Sequence, residues 1–202
     1  FNIAVGNIKP DKGEVLMNGQ NITNLTLPIR SRLGLGYLTQ EASIFRDLTV
    51  QDNIDLALQN SSYSLAAIRN KREQLINEFN LNNFVDNFGY QLSGGERRRC
   101  EIARALTVTG NGPKYLLLDE PFAGIDPLAV NDLRELILKL SDNGVGILIT
   151  DHNVRETLLI TDKSYVLSEG KILAYGSSVE LADNLIVKKH YLGDNFKLWN
   201  PS

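Results

Sequence analysis

The sequence predicts an α/β fold built on a mostly parallel sheet, with a small helical subdomain inside it, and three observations carry that expectation. Two short, uninterrupted apolar runs, Tyr115-Leu116-Leu117-Leu118 and Gly146-Ile147-Leu148-Ile149-Thr150, are separated by a helix-length segment with an apolar stripe. Strands apolar throughout are those buried on both faces, as in parallel sheets. From Ser93 onward, strand-like and helix-like segments alternate, which is the order that builds a helix-covered sheet. Residues 49–92, by contrast, are polar with apolar positions at helical spacing. A chain of 202 residues with 43% apolar and 22% charged residues reads as one domain spanning 1–202. The helical subdomain covers about 49–92 and extends into a helix over 93–108.

Taken in order, Phe1 to Gly6 reads as the interior of a helix. Gly13-Glu14-Val15-Leu16-Met17-Asn18-Gly19 pairs a short apolar run with an Asn-Gly turn signal, hence a strand and a turn. Gly34-Leu35-Gly36-Tyr37-Leu38 is a strand that ends on Thr39-Gln40 and feeds a loop from Glu41 to Asp47. In the helical stretch, Leu65, Ile68, Leu75, Ile76 and Phe79 form the apolar positions, after a break at Asn60-Ser61-Ser62. A helix runs from about Gly94 to Thr107. Asp126-Pro127 opens another, with an aspartate N-cap, a proline in the first turn and a stripe of Leu133, Leu136, Ile137 and Leu140. Val154 to Ile160 is a short helix, and Tyr165 to Leu167 with Lys171 to Leu173 forms a hairpin around Glu169-Gly170. Past Asn195 no motif stands out, and a flexible tail is expected.

Composition excludes several classes of function. A net charge of -3 leaves no broad basic field for nucleic acid. A single cysteine, Cys100, rules out an intrachain disulfide and argues against a cysteine-built metal site. No apolar run reaches the ~20 residues that cross a bilayer, so association with a membrane would come through a partner.

Four short motifs carry chemistry. Leu92-Ser93-Gly94-Gly95-Glu96 heads a predicted helix. It reads as a capping box, with Ser93 as N-cap and Glu96 reaching back. It reads equally as a phosphate site, because two glycines leave the first N–H groups of the helix open to an anion. Tyr115 to Pro121 is an apolar strand ending in the adjacent carboxylates Asp119 and Glu120. These form either a solvated acid pair or a hydrolytic pair, Asp119 holding Mg²⁺ and Glu120 acting as general base toward the water that attacks a γ-phosphate. Thr150-Asp151-His152 ends the neighbouring strand; His152 is a structural histidine or one that contacts the γ-phosphate. Gln40, at the end of its own strand, is suited to orienting water or Mg²⁺.

Together these motifs resemble the ABC transporter ATPases in order and spacing through nearly the whole chain. Leu92 to Glu96 is similar to the signature motif, Leu116 to Glu120 to Walker B, Gly124-Ile125-Asp126 to the D-loop, Gln40 to the Q-loop and His152 to the switch histidine. The resemblance implies ATP and Mg²⁺ as cofactors and a head-to-tail dimer with a second ATPase subunit. Each ATP would lie between the Walker elements of one subunit and Ser93, Gly94, Gly95 and Glu96 of the other, with Asp126 communicating across the dimer. It also implies that the helical subdomain and the Gln40 loop grip transmembrane permease subunits, so that the protein sits peripherally on the cytoplasmic face of the inner membrane.

Longer stretches are similar to one branch, the ATPases of lipopolysaccharide export. These are Gln40 to Arg46 with Leu48-Thr49-Val50, Gly95 to Arg99, Phe122 to Pro127, Thr150 to Thr157 and Tyr191 to Phe196. Branched-chain amino-acid importer ATPases are the alternative within the family, and a non-catalytic interaction module is the alternative outside enzymes. A DNA-repair or ribosome-associated ATPase is disfavoured by the absence of a long coiled-coil insertion and of strong positive charge.

The family's phosphate loop, Gly-x-x-x-x-Gly-Lys-Ser/Thr, does not occur in these 202 residues; the one Gly-Lys pair, Gly170-Lys171, precedes Ile172 in the predicted hairpin. In the family a helix starting at that loop precedes the segment matching Gly13, which sets Phe1 about one turn inside it. The expectation is therefore a fold without its first strands and phosphate loop, with strand edges left unpaired. Such a chain by itself would bind ATP weakly or not at all.

Overall fold

The computed structural model describes residues 1–59, 63–109, 112–193, 196 and 198. It divides the chain into two compact units, 1–150 and 151–202. The expected break at 60–62 lies outside the described residues.

The first unit opens with α1 (Asn2–Val5), which ends at Gly6 in the left-handed region (φ 88°). Two two-residue strands, β1 (Leu16–Met17) and β2 (Gln20–Asn21), pair antiparallel. Asn18 (φ 51°) and Gly19 (φ 77°) turn between them, the pair of positive φ values that an Asn-Gly hairpin turn requires. After α2 (Leu27–Arg32), β3 (Leu35–Leu38) enters a three-stranded parallel sheet with β4 (Tyr115–Asp119) and β5 (Gly146–Thr150), in the order β3-β4-β5. The registers Leu38↔Leu118 and Asp119↔Thr150 bring the C-terminal ends of all three strands to one edge of the sheet. The expected α/β fold with a parallel sheet is therefore what forms.

Central β4 buries Leu116, Leu117 and Leu118 almost completely, at roughly 1.5–3 kcal/mol each. Against the expectation, β5 is not buried on both faces: Leu148 is 52% exposed. The strand is one of the two edge strands of the described sheet, but the other, β3, is largely buried, so what β5 lacks is cover on the face that carries Leu148.

Between β3 and β4 lie the helices α3 (Val50–Gln59), α4 (Leu65–Glu78) and α5 (Gly94–Ala105), with two short 3₁₀ turns at Asn82–Phe84 and Gly89–Gln91. Here α3 packs on both α4 and α5. Leu75, Ile76 and Phe79 are buried as the spacing predicts, whereas Leu65 is 87% exposed. It is the first residue of α4, directly after the N-cap Ser64. Buried Asn53 ties the loop into α3, donating to the carbonyls of Phe45, Leu48 and Thr49 and accepting from the Phe45 N–H. The last helix of the unit, α6 (Pro127–Asp142), buries Val130, Leu133, Leu136, Ile137 and Leu140.

The second unit comprises α7 (Val154–Leu158), the antiparallel hairpin β6 (Ser164–Ser168) and β7 (Lys171–Gly176), then α8 (Ser178–Asp183) and α9 (Leu185–Val187). Its helix α7 stops two residues short of the predicted Ile160. Its core is Leu158, Leu181, Ala182, Val187 and Leu198. Of the tail expected to be flexible, Phe196 and Leu198 are described, and both pack in or against this core; the apolar character of those two side chains outweighs the absence of a motif.

Candidate functional site

The C-terminal ends of β3 and β4 bring Gln40, Asp119 and Glu120 together. The side-chain Nε2 of Gln40 donates to Oε2 of Glu120 at 2.9 Å, joining residues 80 apart in sequence. Asp119 accepts from the Thr150 hydroxyl at 2.6 Å through Oδ1 and, at 3.4 Å, from the Tyr37 hydroxyl through Oδ2. Burial, and then the Asp119 charge, hold the Tyr37 hydroxyl above the ordinary phenol range, so it remains a donor.

Glu120 is a non-glycine residue in the left-handed region (φ 49°), a conformation that costs roughly 1 kcal/mol or more and persists where the surroundings over-determine it. Here its N–H donates to the Thr150 carbonyl at 2.8 Å, and its own carbonyl accepts from the Arg98 guanidinium at 2.8 Å. The turn aims the residue after β4 away from the strand's own direction. A carboxylate so placed, with an amide on one oxygen, can take a proton from a water molecule.

A second cluster forms where α5 meets the start of α6. Ser93 Oγ accepts from the Glu96 N–H at 3.3 Å and Glu96 Oε2 accepts from the Ser93 N–H at 2.9 Å. The capping-box reading of that motif is therefore realised, and Glu96 turns back on its own helix. The two glycines have a packing reason as well. A Cβ on Gly94 would stand 2.8 Å from the Gly124 carbonyl oxygen, and one on Gly95 would stand 2.5 Å from the Ala129 Cβ. No larger residue fits, and the close approach sets the head of α5 against Gly124, Ile125 and Ala129. Asp126 caps α6, its Oδ1 accepting from the N–H groups of Leu128 and Ala129.

Thus Gln40, Asp119 and Glu120 form one group, while Ser93, Gly94, Gly95, Glu96 and Asp126 form a second, both in the first unit. His152 lies in the second unit, exposed, one residue before the N-cap Asn153 of α7.

The residues that sequence reasoning passed over are Arg98 and Glu101. Both are almost fully buried and paired at 3.0 Å. Their signal was present: an arginine and a glutamate three apart on a helix whose neighbouring positions, Cys100, Ile102 and Ala103, are all buried. Charges on a buried helix face call for partners.

Comparison with known proteins identifies the family. The sequence model of the ABC transporter family matches residues 1–123. The lipopolysaccharide export system ATP-binding protein LptB of Acidithiobacillus ferridurans is 46% identical over 198 residues, which cover 98% of this chain and 81% of that protein. Among solved structures, the ATP-binding cassette MJ1267 of an ABC transporter superposes with a TM-score of 0.84 at 27% identity, over 95% of this chain and 81% of that one. The cassette MJ0796, in a dimeric post-hydrolysis state bound to ADP and Pi, does so with a TM-score of 0.74 at 25% identity, over 88% and 78%. With a family model matched over more than half its length, and a relative of that identity across nearly all of it, the chain belongs to the ABC transporter family as one of its ATPase domains.

Proposed function

We propose that this ABC ATPase powers lipopolysaccharide export, working as a head-to-tail pair with a second ATPase subunit and bound to transmembrane permease subunits at the cytoplasmic face of the inner membrane. The observation that carries the hydrolytic part is the Gln40–Glu120 hydrogen bond at the ends of two parallel strands. Ligands of open α/β sheets sit at such strand ends. The export substrate rests on the role of the 46%-identical relative, an ATP-binding protein of the lipopolysaccharide export system. The pairing rests on the dimeric cassette bound to ADP and Pi. Among the described residues no helix is long and apolar enough to cross a membrane.

In this reading Glu120 is the general base toward the attacking water, and Gln40 orients that water while its Nε2 holds the carboxylate. His152 contacts the γ-phosphate. Ser93, Gly94, Gly95 and Glu96 face the ATP bound by the other subunit, and Asp126 lies at the same interface. The donor types suit Mg²⁺: Asp119 at the end of β4 and Gln40 just past the end of the neighbouring β3 carry hard oxygen atoms. Among the described residues no cluster of three His, Cys, Asp or Glu makes a closed metal cage. Mg²⁺ takes few protein ligands and keeps phosphate oxygens and water for the rest. When bound, it would neutralise the charge of the phosphates.

These 202 residues contain no Gly-x-x-x-x-Gly-Lys-Ser/Thr, so taken alone they are expected to bind Mg-ATP weakly; calorimetric titration with micromolar binding would refute that. The function itself is tested in vesicles reconstituted with the native protein and the permease subunits that co-purify with it. Lipopolysaccharide should be released in an ATP-dependent way, and Glu120→Gln should lower hydrolysis by about 100-fold or more. Hydrolysis without release would remove the export substrate, and an unaffected Glu120→Gln would remove the assigned base.

A further inference from the structure

The buried pair Arg98 and Glu101 joins, through one face of α5, the two segments that carry Gln40 and Glu120. The Arg98 side chain is surrounded by acceptors from three places in the sequence. Its Nη1 donates to the Thr39 carbonyl at 3.1 Å and to Glu101 Oε2 at 3.0 Å. Its Nη2 donates to the carbonyls of Glu120 at 2.8 Å, Asp119 at 3.3 Å and Gln40 at 3.5 Å. Its Nε donates to the Pro121 carbonyl at 3.3 Å. The planar fork of a guanidinium is what allows one side chain to hold so many carbonyls in a fixed arrangement. Glu101 in turn uses Oε1 to accept from the N–H groups of Ser43 and Ile44, at 2.7 and 3.1 Å. The pair therefore grips the loop after β3 at its start, residues 39–40, and again at 43–44, and the turn after β4 at 119–121.

Simple stabilisation does not account for this arrangement. Burying an ion pair costs about as much desolvation as the attraction returns, and apolar replacements are often as stable. What the pair supplies is position. Glu120 occupies a left-handed conformation (φ 49°), and the shortest of the Arg98 contacts is to the carbonyl of that residue. Five residues before Arg98 stands Ser93, the N-cap of the same helix, so a shift of α5 along its axis displaces the Glu120 and Gln40 backbones with it.

We propose that Arg98, held by Glu101, is the positioning residue that sets the Glu120 and Gln40 side chains for hydrolysis and ties them to the head of α5. Resting on the assignment of Glu120 as base, it adds a residue that acts through the backbone without touching the nucleotide. A carboxylate misplaced by about 1 Å loses on the order of 100-fold in rate, whereas nucleotide held largely through its phosphates loses less affinity when one metal ligand, Gln40, shifts. Loss of the clamp should therefore lower kcat far more than it lowers binding.

The test uses the native protein and compares Arg98→Met/Glu101→Gln, Arg98→Lys and Glu120→Gln. The double variant leaves no unpaired buried charge, and the amide oxygen that Glu101→Gln introduces still accepts from the N–H groups of Ser43 and Ile44. Steady-state hydrolysis, affinity for a fluorescent ATP analogue and thermal melting are measured for each. The expected result is a fall in kcat of about 10- to 100-fold in the double variant, with a smaller change in analogue affinity and a melting temperature lowered by the carbonyls left without a donor but still that of a cooperatively folded protein. Partial recovery is expected in Arg98→Lys, which keeps the charge but not the fork. Wild-type kcat in a folded double variant, alongside an inactive Glu120→Gln, overturns the positioning role alone. If the double variant does not fold, wild-type kcat in Arg98→Lys overturns it in the same way. Wild-type activity in Glu120→Gln overturns the underlying base assignment and this proposal with it.

Discussion

Strands β4 and β5 are near-twins in sequence and opposites in the fold. Tyr115-Leu116-Leu117-Leu118-Asp119 and Gly146-Ile147-Leu148-Ile149-Thr150 are both five residues, both apolar, and paired in perfect register. Yet β4 is the buried centre of the sheet, with Leu116 and Leu118 fully enclosed, while β5 is one of its edges, with Leu148 half in solvent. Their ends differ as well. The first ends in the carboxylate Asp119, followed by Glu120, whereas the second ends in Thr150, whose hydroxyl and carbonyl serve those two acids. An apolar pentapeptide thus specifies a strand, but its neighbours decide whether it forms the core and carries the site or supports it.

This contrast can be broken at three points. The largest effect is expected at the centre: Leu116→Ala removes a fully enclosed side chain and should cost about 2–5 kcal/mol in urea unfolding. A loss below about 1 kcal/mol would mean that the sheet centre is loosely packed and the distinction false. At the strand ends, Thr150→Val keeps the shape of β5 but deletes the 2.6 Å donor to Asp119. A hydrogen bond to a charged group is worth about 1.5–3 kcal/mol, and because Asp119 is only partly buried the low end is expected. Hydrolysis should fall along with stability if Asp119 holds the metal. An unchanged rate and stability would show that Thr150 merely stands beside the acid. The smallest effect is at the edge, where Leu148→Ser should change stability by no more than about 0.5 kcal/mol. A loss as large as that at Leu116 would mean that β5 is covered in solution and that the two strands are alike after all.

The same contrast separates what could be read in the chain from what could not. The elements were legible because each carries its own local chemistry. Asn18-Gly19 and Glu169-Gly170 supply the positive φ values of their turns. Ser93 with Glu96 closes a capping box, and Asp126-Pro127 starts a helix whose stripe is buried. Gln40, Asp119 and Glu120 were legible as strand-end residues because apolar runs point to them. Leu65 and Leu148 were misjudged for a common reason: periodicity marks a residue as apolar, and it does not say whether another element arrives to cover it.

By itself, then, the sequence determined the α/β class, the order of its strands and helices, the family and the short motifs, since all of these depend on residues close together along the chain. Only the tertiary structure decided that β4 is central and β5 an edge, that Gln40 meets Glu120 across 80 residues, and that Arg98 with Glu101 grips both. Those are contacts between distant segments. They arise because a buried guanidinium must find carbonyls and a carboxylate wherever the packed fold presents them, and no spacing along the chain records where that will be.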